Sequence, residues 1–307
     1  MAQGLVRIIV NPISGRGHDA GFVADLVRHV SLRGYPVEVM PTDHPGHARE
    51  LARETPEAAR CVVSIGGDGT HREVLSGLVG RIVPVCIVPS GTENVLGRTF
   101  GLTGTLRETA ALIQHGRPLG LDVGMAGEWP FVMFSGVGFD AEVTRDVQRR
   151  RRGPILRATY YAPIVRALWH YGFPPITVKV DGRLLTDDAG VVFVVNTPLY
   201  GGRLRLAPRA RGDDGLLDVL CFRTRSRWQL PLHYLRVWRG THLDHPRVAY
   251  TQGRRIEVTC AERDLPVQTD GDVVATTPLV YTVQPKAVRL LVRPPSERRR
   301  SSRDGAE

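Results

Sequence analysis

The residues best suited to chemistry lie in one run, Ile65-Gly66-Gly67-Asp68-Gly69-Thr70-His71-Arg72-Glu73. A β-type apolar stretch, Cys61 to Ile65, leads into it, and a helical pattern, Val74, Leu75 and Leu78, leads out. The order is therefore strand, glycine turn, helix. Gly66, Gly67 and Gly69 let the backbone approach a ligand closely. Thr70 followed by Glu73 fits a T-x-x-E capping box, which predicts a helix starting at Thr70. The N–H groups of that helix's first turn would face the loop and form an anion site. A carboxylate beside a phosphate is repelled unless a cation lies between them, so Asp68 is expected to hold Mg²⁺. The plain alternative is a tight strand–helix turn with a solvated Asp68. The sequence has no G-x-x-x-x-G-K-[ST] loop, and Arg72 stands where a dinucleotide fingerprint needs its third glycine.

The elements that must position this loop alternate. Leu5 to Val10 reads as a strand, ending at Asn11-Pro12-Ile13-Ser14-Gly15-Arg16-Gly17. Phe22, Val23, Leu26, Val27 and Val30 recur on one helical face, and Gly34 ends that helix. Pro36 to Met40 is a second strand ending near Thr42, His47 to Glu54 a helix, and Ile82 to Val88 a fourth strand ending at Pro89-Ser90-Gly91-Thr92. Helices follow at Glu93 to Phe100 and Leu106 to His115. This alternation predicts an α/β domain with a parallel sheet, in which ligands bind beyond the strand carboxyl ends. Arg16, Thr42, the glycine loop and Gly91-Thr92 all fall at those ends.

Beyond Leu121 strand patterns dominate: Phe131 to Phe134, Ile176 to Val180, Gly190 to Val195, Gly215 to Phe222, Arg255 to Cys260, Val273 to Thr276 and Ala287 to Val292. Asp181-Gly182 and Asp270-Gly271 are hairpin-turn dipeptides. The expectation is a C-terminal antiparallel, sandwich-like β domain with helices inserted at about Phe139 to Arg149, Ile155 to Tyr171 and Trp228 to Trp238. The expected boundaries are 1–121 for the α/β domain, with a returning strand near 285–293, 122–284 for the β domain, and 294–307 for a disordered basic tail.

At 307 residues the chain can build two ordinary cores. No apolar stretch approaches the length of a membrane span, and no signal peptide precedes the first strand. Cys61, Cys86, Cys221 and Cys260 lack C-x-x-C spacing, which suits a reducing cytoplasm and argues against zinc. The net charge of +10 is nearly all arginine, since Lys179 and Lys286 are the only lysines. Arg145, Arg149, Arg150, Arg151, Arg152 and Arg157 cluster, as do Arg298, Arg299, Arg300 and Arg303. Such clusters suit nucleic acid or an anionic membrane, and no nucleic-acid motif supports the first. The apolar, aromatic stretch Thr159 to Trp169 beside the first cluster, kinked or split by Pro163, reads either as an interfacial helix or as a core helix.

The GGDGT loop resembles the nucleotide loop of diacylglycerol kinases, sphingosine kinases, NAD kinases and, remotely, phosphofructokinases. Further segments narrow this. Gly66 to Leu78, Pro89 to Leu102, Leu121-Asp122-Val123-Gly124, Val195-Asn196 with Gly201-Gly202, and Pro208 with Asp214-Gly215-Leu216-Leu217-Asp218 resemble, in order, the blocks of bacterial diacylglycerol kinase-like lipid kinases. The resemblance covers about residues 5 to 293. It implies a two-domain fold using ATP and Mg²⁺ to phosphorylate a lipid hydroxyl, in the cytoplasm or at the inner membrane face. It implies nucleotide contacts at Thr42, Gly66, Gly67, Asp68, Gly69, Thr70, His71, Arg72, Gly91 and Thr92, with Arg16 in reach of a phosphate. It implies a structural Mg²⁺ on Asp214 with the backbone oxygens of Arg211 and Leu216. It also implies a catalytic carboxylate at Asp272, where the family has Glu, and a homodimer is left open. Val95 departs from the family's usual Asp. The alternatives are an NAD kinase-like enzyme, a non-catalytic nucleotide- or lipid-binding homologue, and, on charge alone, a nucleic-acid binder.

Overall fold

The computed structural model describes residues 4–14, 20–150 and 157–294. Arg16, Arg151, Arg152 and the basic tail from residue 295 onward lie outside them. The chain divides into two units, Met1–Leu121 with Ala287–Glu307, and Asp122–Lys286.

The first unit alternates β1 (Val6–Val10), α1 (Ala20–Ser31), β2 (Val37–Pro41), α2 (His47–Arg53), β3 (Cys61–Gly66), α3 (Asp68–Gly77), β4 (Val85–Pro89), α4 (Val95–Phe100) and α5 (Leu106–His115). Parallel pairing gives the order β2-β1-β3-β4. β3 is buried along its whole length, as a parallel strand covered on both faces must be. α1 packs against α5, and α2 against α3. The chain steps from β1 outward to β2 and then across to β3, so the strand order reverses between β1 and β3. That reversal opens a crevice at the carboxyl ends, the usual ligand position in such sheets.

The second unit takes in the second half of β5 (Arg117–Ala126), then β6 (Trp129–Phe131), β7 (Phe134–Gly138), α6 (Phe139–Arg150), α7 (Tyr161–His170), β8 (Ile176–Val180), β9 (Arg183–Ala189), β10 (Val191–Val195), β11 (Leu199–Tyr200), β12 (Leu204–Arg205), β13 (Leu217–Phe222), α8 (Gln229–Arg239), β14 (Val248–Gly253), β15 (Arg255–Cys260), β16 (Pro266–Thr269), β17 (Asp272–Thr276) and the first part of β18 (Leu279–Val292). One antiparallel sheet runs β14-β13-β10-β7-β16-β17. The other joins β18, β15, β8 and β9. Val178, Ile256, Val258 and Tyr281 from one and Val137, Val192, Val194, Val219 and Val267 from the other fill a single core. This is the expected sandwich-like domain. β18 then leaves the second unit at Lys286, and its last residues pair in parallel with β4 of the first, Leu290 opposite Val85.

Both predicted hairpin dipeptides form two-residue turns with positive φ at each position: Asp181 48° and Gly182 78°, Asp270 47° and Gly271 94°. They join Val180 to Arg183 and Thr269 to Asp272. Three local expectations are corrected. α3 starts at Asp68, not Thr70, with Gly67 as its N-cap and no side-chain cap. The Glu73 carboxylate instead accepts the Gly46 N–H at 3.0 Å, at the head of α2. Pro163 does not kink α7; the expected helix is instead divided, with a 3-10 turn, Arg157–Tyr160, ahead of it. α7 begins only at Tyr161, so the proline occupies the first turn, where a missing N–H costs nothing. The strand expected over Phe131 to Phe134 is split, because the N–H groups of Val132, Met133 and Phe134 turn to the Asp270 carboxylate. No helix among the described residues is long and apolar enough to cross a membrane.

The end of β18 is tied down by charge. Glu108 of α5 accepts the Arg293 guanidinium at 3.0 Å and the Thr103 and Gly104 N–H groups at 2.6 and 2.9 Å. Burial raises the Glu108 pKa, but the Thr103 hydroxyl and Arg293 more than offset this, leaving it below the usual 4.5. A carboxylate with a lowered folded pKa contributes stability that is full above 4.5 and lost as pH falls through the lowered value. Glu108→Gln should therefore cost about 1.5–3 kcal/mol in denaturant unfolding at neutral pH. The gap from wild type should close in acid, and a pH-independent gap would rule out this origin.

Candidate functional site

The glycine loop sits at the switch point of the first unit. β1, β3 and β4 end there, and their loops are stitched together. Asn11 Nδ2 donates to Thr70 Oγ1 at 3.1 Å, Ser14 Oγ meets Ser90 Oγ at 2.9 Å, and the Ser90 N–H donates to the Gly66 carbonyl at 2.7 Å. Thr42 is held beside them, its N–H on the Val10 carbonyl at 2.9 Å. The loops after β3 and β4 touch backbone to backbone: a Cβ on Gly91 would lie 2.7 Å from Gly67 Cα. Only glycine at position 91 permits that approach. A Cβ on Gly69, by contrast, meets nothing within 4 Å, so the first turn of α3 opens onto free space. With no side-chain cap, its N–H groups are offered to a ligand. Thr92 is exposed, and Arg72 is half-buried on α3.

Asp68 has a role that spacing did not show. Its two oxygens accept the N–H groups of Val95 at 3.0 Å and Leu96 at 3.2 Å, the first turn of α4. Asn94, in the left-handed conformation at φ 49°, sets the start of that helix, and its side chain closes back on Gly91 through bonds of 2.8 and 2.9 Å. Burial raises the Asp68 pKa, opposed by those two N–H bonds. Asp68 is therefore also a positioning carboxylate, each of its oxygens accepting one N–H bond from α4. His71 is also reassigned. It is fully buried with Nδ1 2.8 Å from Ser64 Oγ, and its N–H is taken by the Gly67 carbonyl, so neither group faces the crevice.

In the second unit several motif segments meet at Asp122. Its carboxylate accepts the Gly215 N–H at 2.6 Å and the Lys286 N–H at 2.7 Å, and its own carbonyl accepts Asn196 Nδ2 at 2.8 Å. The loop carrying Arg211, Asp214 and Leu216 is thereby fixed. Asp214 Oδ1 accepts the Leu216 N–H at 3.1 Å. Burial and the neighbouring Asp122 and Asp213 charges raise its pKa against that bond. Asp214 is exposed, and a carboxylate with main-chain carbonyls is the donor type a hard divalent cation takes, so the residue types fit the implied Mg²⁺.

Asp272 opens β17 directly after the Asp270-Gly271 turn. Its Oδ1 accepts Gln148 Nε2 of α6 at 2.7 Å, and Gln268 Oε1 holds the Gly271 N–H at 2.8 Å. Gln268 in turn donates to buried Asp140 at 2.7 Å, which also accepts the Tyr200 hydroxyl. Burial pushes the Asp140 pKa up, against both of those bonds. Asp270 accepts three backbone N–H groups, at 2.8, 3.0 and 2.9 Å. Sequence reasoning did not find Asn11, Asn94, Gln148, Gln268 or the Glu73–Gly46 bond. Of these only Asn94, a left-handed residue after Gly-Thr, left a local signal.

Two family models match the chain. The diacylglycerol kinase catalytic domain covers residues 5–126, and the YegS C-terminal NAD kinase beta sandwich-like domain covers residues 134–292. A diacylglycerol kinase of Mycobacterium tuberculosis is 29% identical over 297 residues, 94% of this chain and 95% of that one. One from Bacillus subtilis is 26% identical over 272 residues, 87% of this chain and 89% of that one. A solved Bacillus anthracis structure of diacylglycerol kinase type superposes with a TM-score of 0.81 at 24% identity, covering 96% and 97% of the two chains, and so shares the fold.

The two glycines should separate in solution. Gly91→Ala should lose about 1–3 kcal/mol, because the methyl forces two backbones apart. Gly69→Ala should stay within about 0.5 kcal/mol of wild type. Denaturant unfolding checks both, and equal losses would contradict the contact at Gly67. Asp68→Ala should also destabilise, by roughly 1–3 kcal/mol, because two charge-assisted bonds to α4 are lost.

Proposed function

The chain belongs to the diacylglycerol kinase-like family, and we propose that it transfers the γ-phosphoryl group of ATP to the hydroxyl of a lipid such as diacylglycerol. The observation that carries this is the cradle in the first unit: an uncapped helix N-terminus facing open space, bordered by two loops in backbone contact, at the strand-order reversal. The N–H groups of Gly69 and Thr70 bind phosphate oxygens, with Gly66, Gly67, Gly91 and Thr92 forming the walls. Thr42, Arg72 and, by resemblance, Arg16 border the nucleotide. Mg²⁺ bound with the nucleotide supplies charge neutralisation as the phosphoryl group transfers. A separate structural Mg²⁺ would be held by Asp214 with the main-chain oxygens of Arg211 and Leu216 and would stiffen that loop.

Asp272 takes the proton of the acceptor hydroxyl. The neutral Gln148 amide orients its Oδ1 without adding charge. Asp270 is a poor base, because three N–H donors stabilise its ionised form and its protonation would break them. A carboxylate one methylene shorter than Glu must approach its hydroxyl more closely or act through one water. The non-catalytic homologue and the NAD kinase-like enzyme are the outcomes against which this is tested.

An ATP-consumption assay offered diacylglycerol, sphingosine, phosphatidylglycerol and NAD⁺ in turn decides among them. Turnover with NAD⁺ alone, or with none, would overturn the lipid reading. Asp272→Asn should lower turnover by about 10²–10⁴-fold with ATP affinity nearly unchanged, and Asp272→Glu should retain or raise it. Wild-type turnover in Asp272→Asn would place the base elsewhere. Gly69→Ala, stable as above, should weaken ATP binding at least about tenfold, since its methyl occupies the space before the helix N–H groups.

A further inference from the structure

Two helices of the second unit turn their apolar side chains outward. On α7 only Pro163 is buried, while Tyr161, Val165 and Trp169 are 69%, 52% and 58% exposed. On α8 the buried stripe is His233 and Val237. Leu232, Tyr234 and Trp238 are 52%, 60% and 67% exposed, as is Trp228 just ahead of the helix at 72%. Trp169 meets Trp228 edge to face at 6.3 Å, so both helices contribute to one patch. A helix packed on a core normally shows the reverse arrangement, with a polar outer face.

The helices that form the patch carry charge of one sign. Neither α7 nor α8 contains a carboxylate. The Arg227 guanidinium lies 4.7 Å from the centre of the Trp169 ring, Arg225 is exposed in the segment ahead of α8 and Arg239 at its end, and Arg149 and Arg150 close the neighbouring α6. Asp146 of α6 is shared by Arg150 and Arg166. A second copy of the chain docked here would set these arginines against themselves. Tryptophan and tyrosine, with an apolar body and a polar edge, suit the headgroup level of a bilayer. Arginine stems lie along apolar surface while the guanidinium reaches phosphate.

We propose that the α7–α8 face docks on a lipid bilayer and prefers anionic headgroups. The inference deepens the lipid-kinase reading by naming where the protein meets its substrate's surface, and it is carried by exposure and charge independently of any turnover. The test is co-sedimentation of the full chain, without ATP, with vesicles of phosphatidylcholine alone or mixed equally with phosphatidylglycerol. Binding should be clearly stronger to the mixture and weakened by added salt. Trp228→Ser with Trp238→Ser should reduce it at least about tenfold. Arg225→Gln with Arg239→Gln should reduce binding to the anionic vesicles alone, by roughly fivefold per arginine. Circular dichroism confirms that the variants remain folded. Equal binding to both vesicle types, wild-type binding by either variant, or a lipid-free dimer abolished by the tryptophan substitutions would overturn the proposal. Turnover on a water-soluble short-chain diacylglycerol should be unchanged in the tryptophan variant. Absence of that turnover in wild type, with vesicle binding intact, would sink the kinase reading alone.

Discussion

A carboxylate withdrawn from water needs hydrogen-bond donors, and at three places this chain supplies them from the main chain. Asp68 binds the first turn of α4, Asp122 binds Gly215 and Lys286, and Asp270 binds three consecutive residues from Val132 to Phe134. In each case the donors are main-chain groups of a loop or helix end far away in sequence. An ionised acceptor makes such bonds roughly twice as strong as neutral ones, and leaving the charge unpaired would cost several kcal/mol. The loops therefore have one well-determined arrangement instead of many.

This gives the motif residues a division of labour. The aspartates inside the signature segments are mostly clamps, and the glycines beside them create the working space. In the first unit Asp68 fixes α4 while Gly67 and Gly91 allow backbone contact and Gly69 leaves room for a ligand. In the second unit Asp270 anchors the hairpin so that the next carboxylate, Asp272, projects from a fixed point. Gln148 and Gln268 extend that support, linking the hairpin to α6 and to buried Asp140. A substitution at a clamp removes bonds that hold distant segments together, whereas a side chain at Gly69 would displace nothing within 4 Å.

The second unit also shows where burial was not selected. α7 and α8 carry enough aromatic surface to build a core, yet the sandwich core is complete without it. Large rings left in water on adjacent helices, ringed by arginine, are a feature of composition and placement together. The aromatic content of α7 is visible in the chain, but its orientation is not.

The amino-acid sequence by itself determined what depends on neighbours a few residues apart. The alternation of strands and helices through His115, the two Asp-Gly turns, and the glycine loop between β3 and α3 follow from local sterics and hydrophobic period. The ordered motif segments likewise led to the right family and to its two-domain fold. Tertiary structure decided what depends on partners far along the chain. Thr70 and Glu73 satisfy a capping pattern, yet Asn11 takes the threonine hydroxyl and Gly46 takes the glutamate. His71 stands in the signature loop but turns inward to Ser64, because α3 packs that side onto β3. Phe131 to Phe134 has strand composition, but a carboxylate more than a hundred residues away captures its N–H groups. Periodicity records which face of an element is apolar; it carries no record of which distant polar group will complete a hydrogen bond, and those bonds set the geometry of the site.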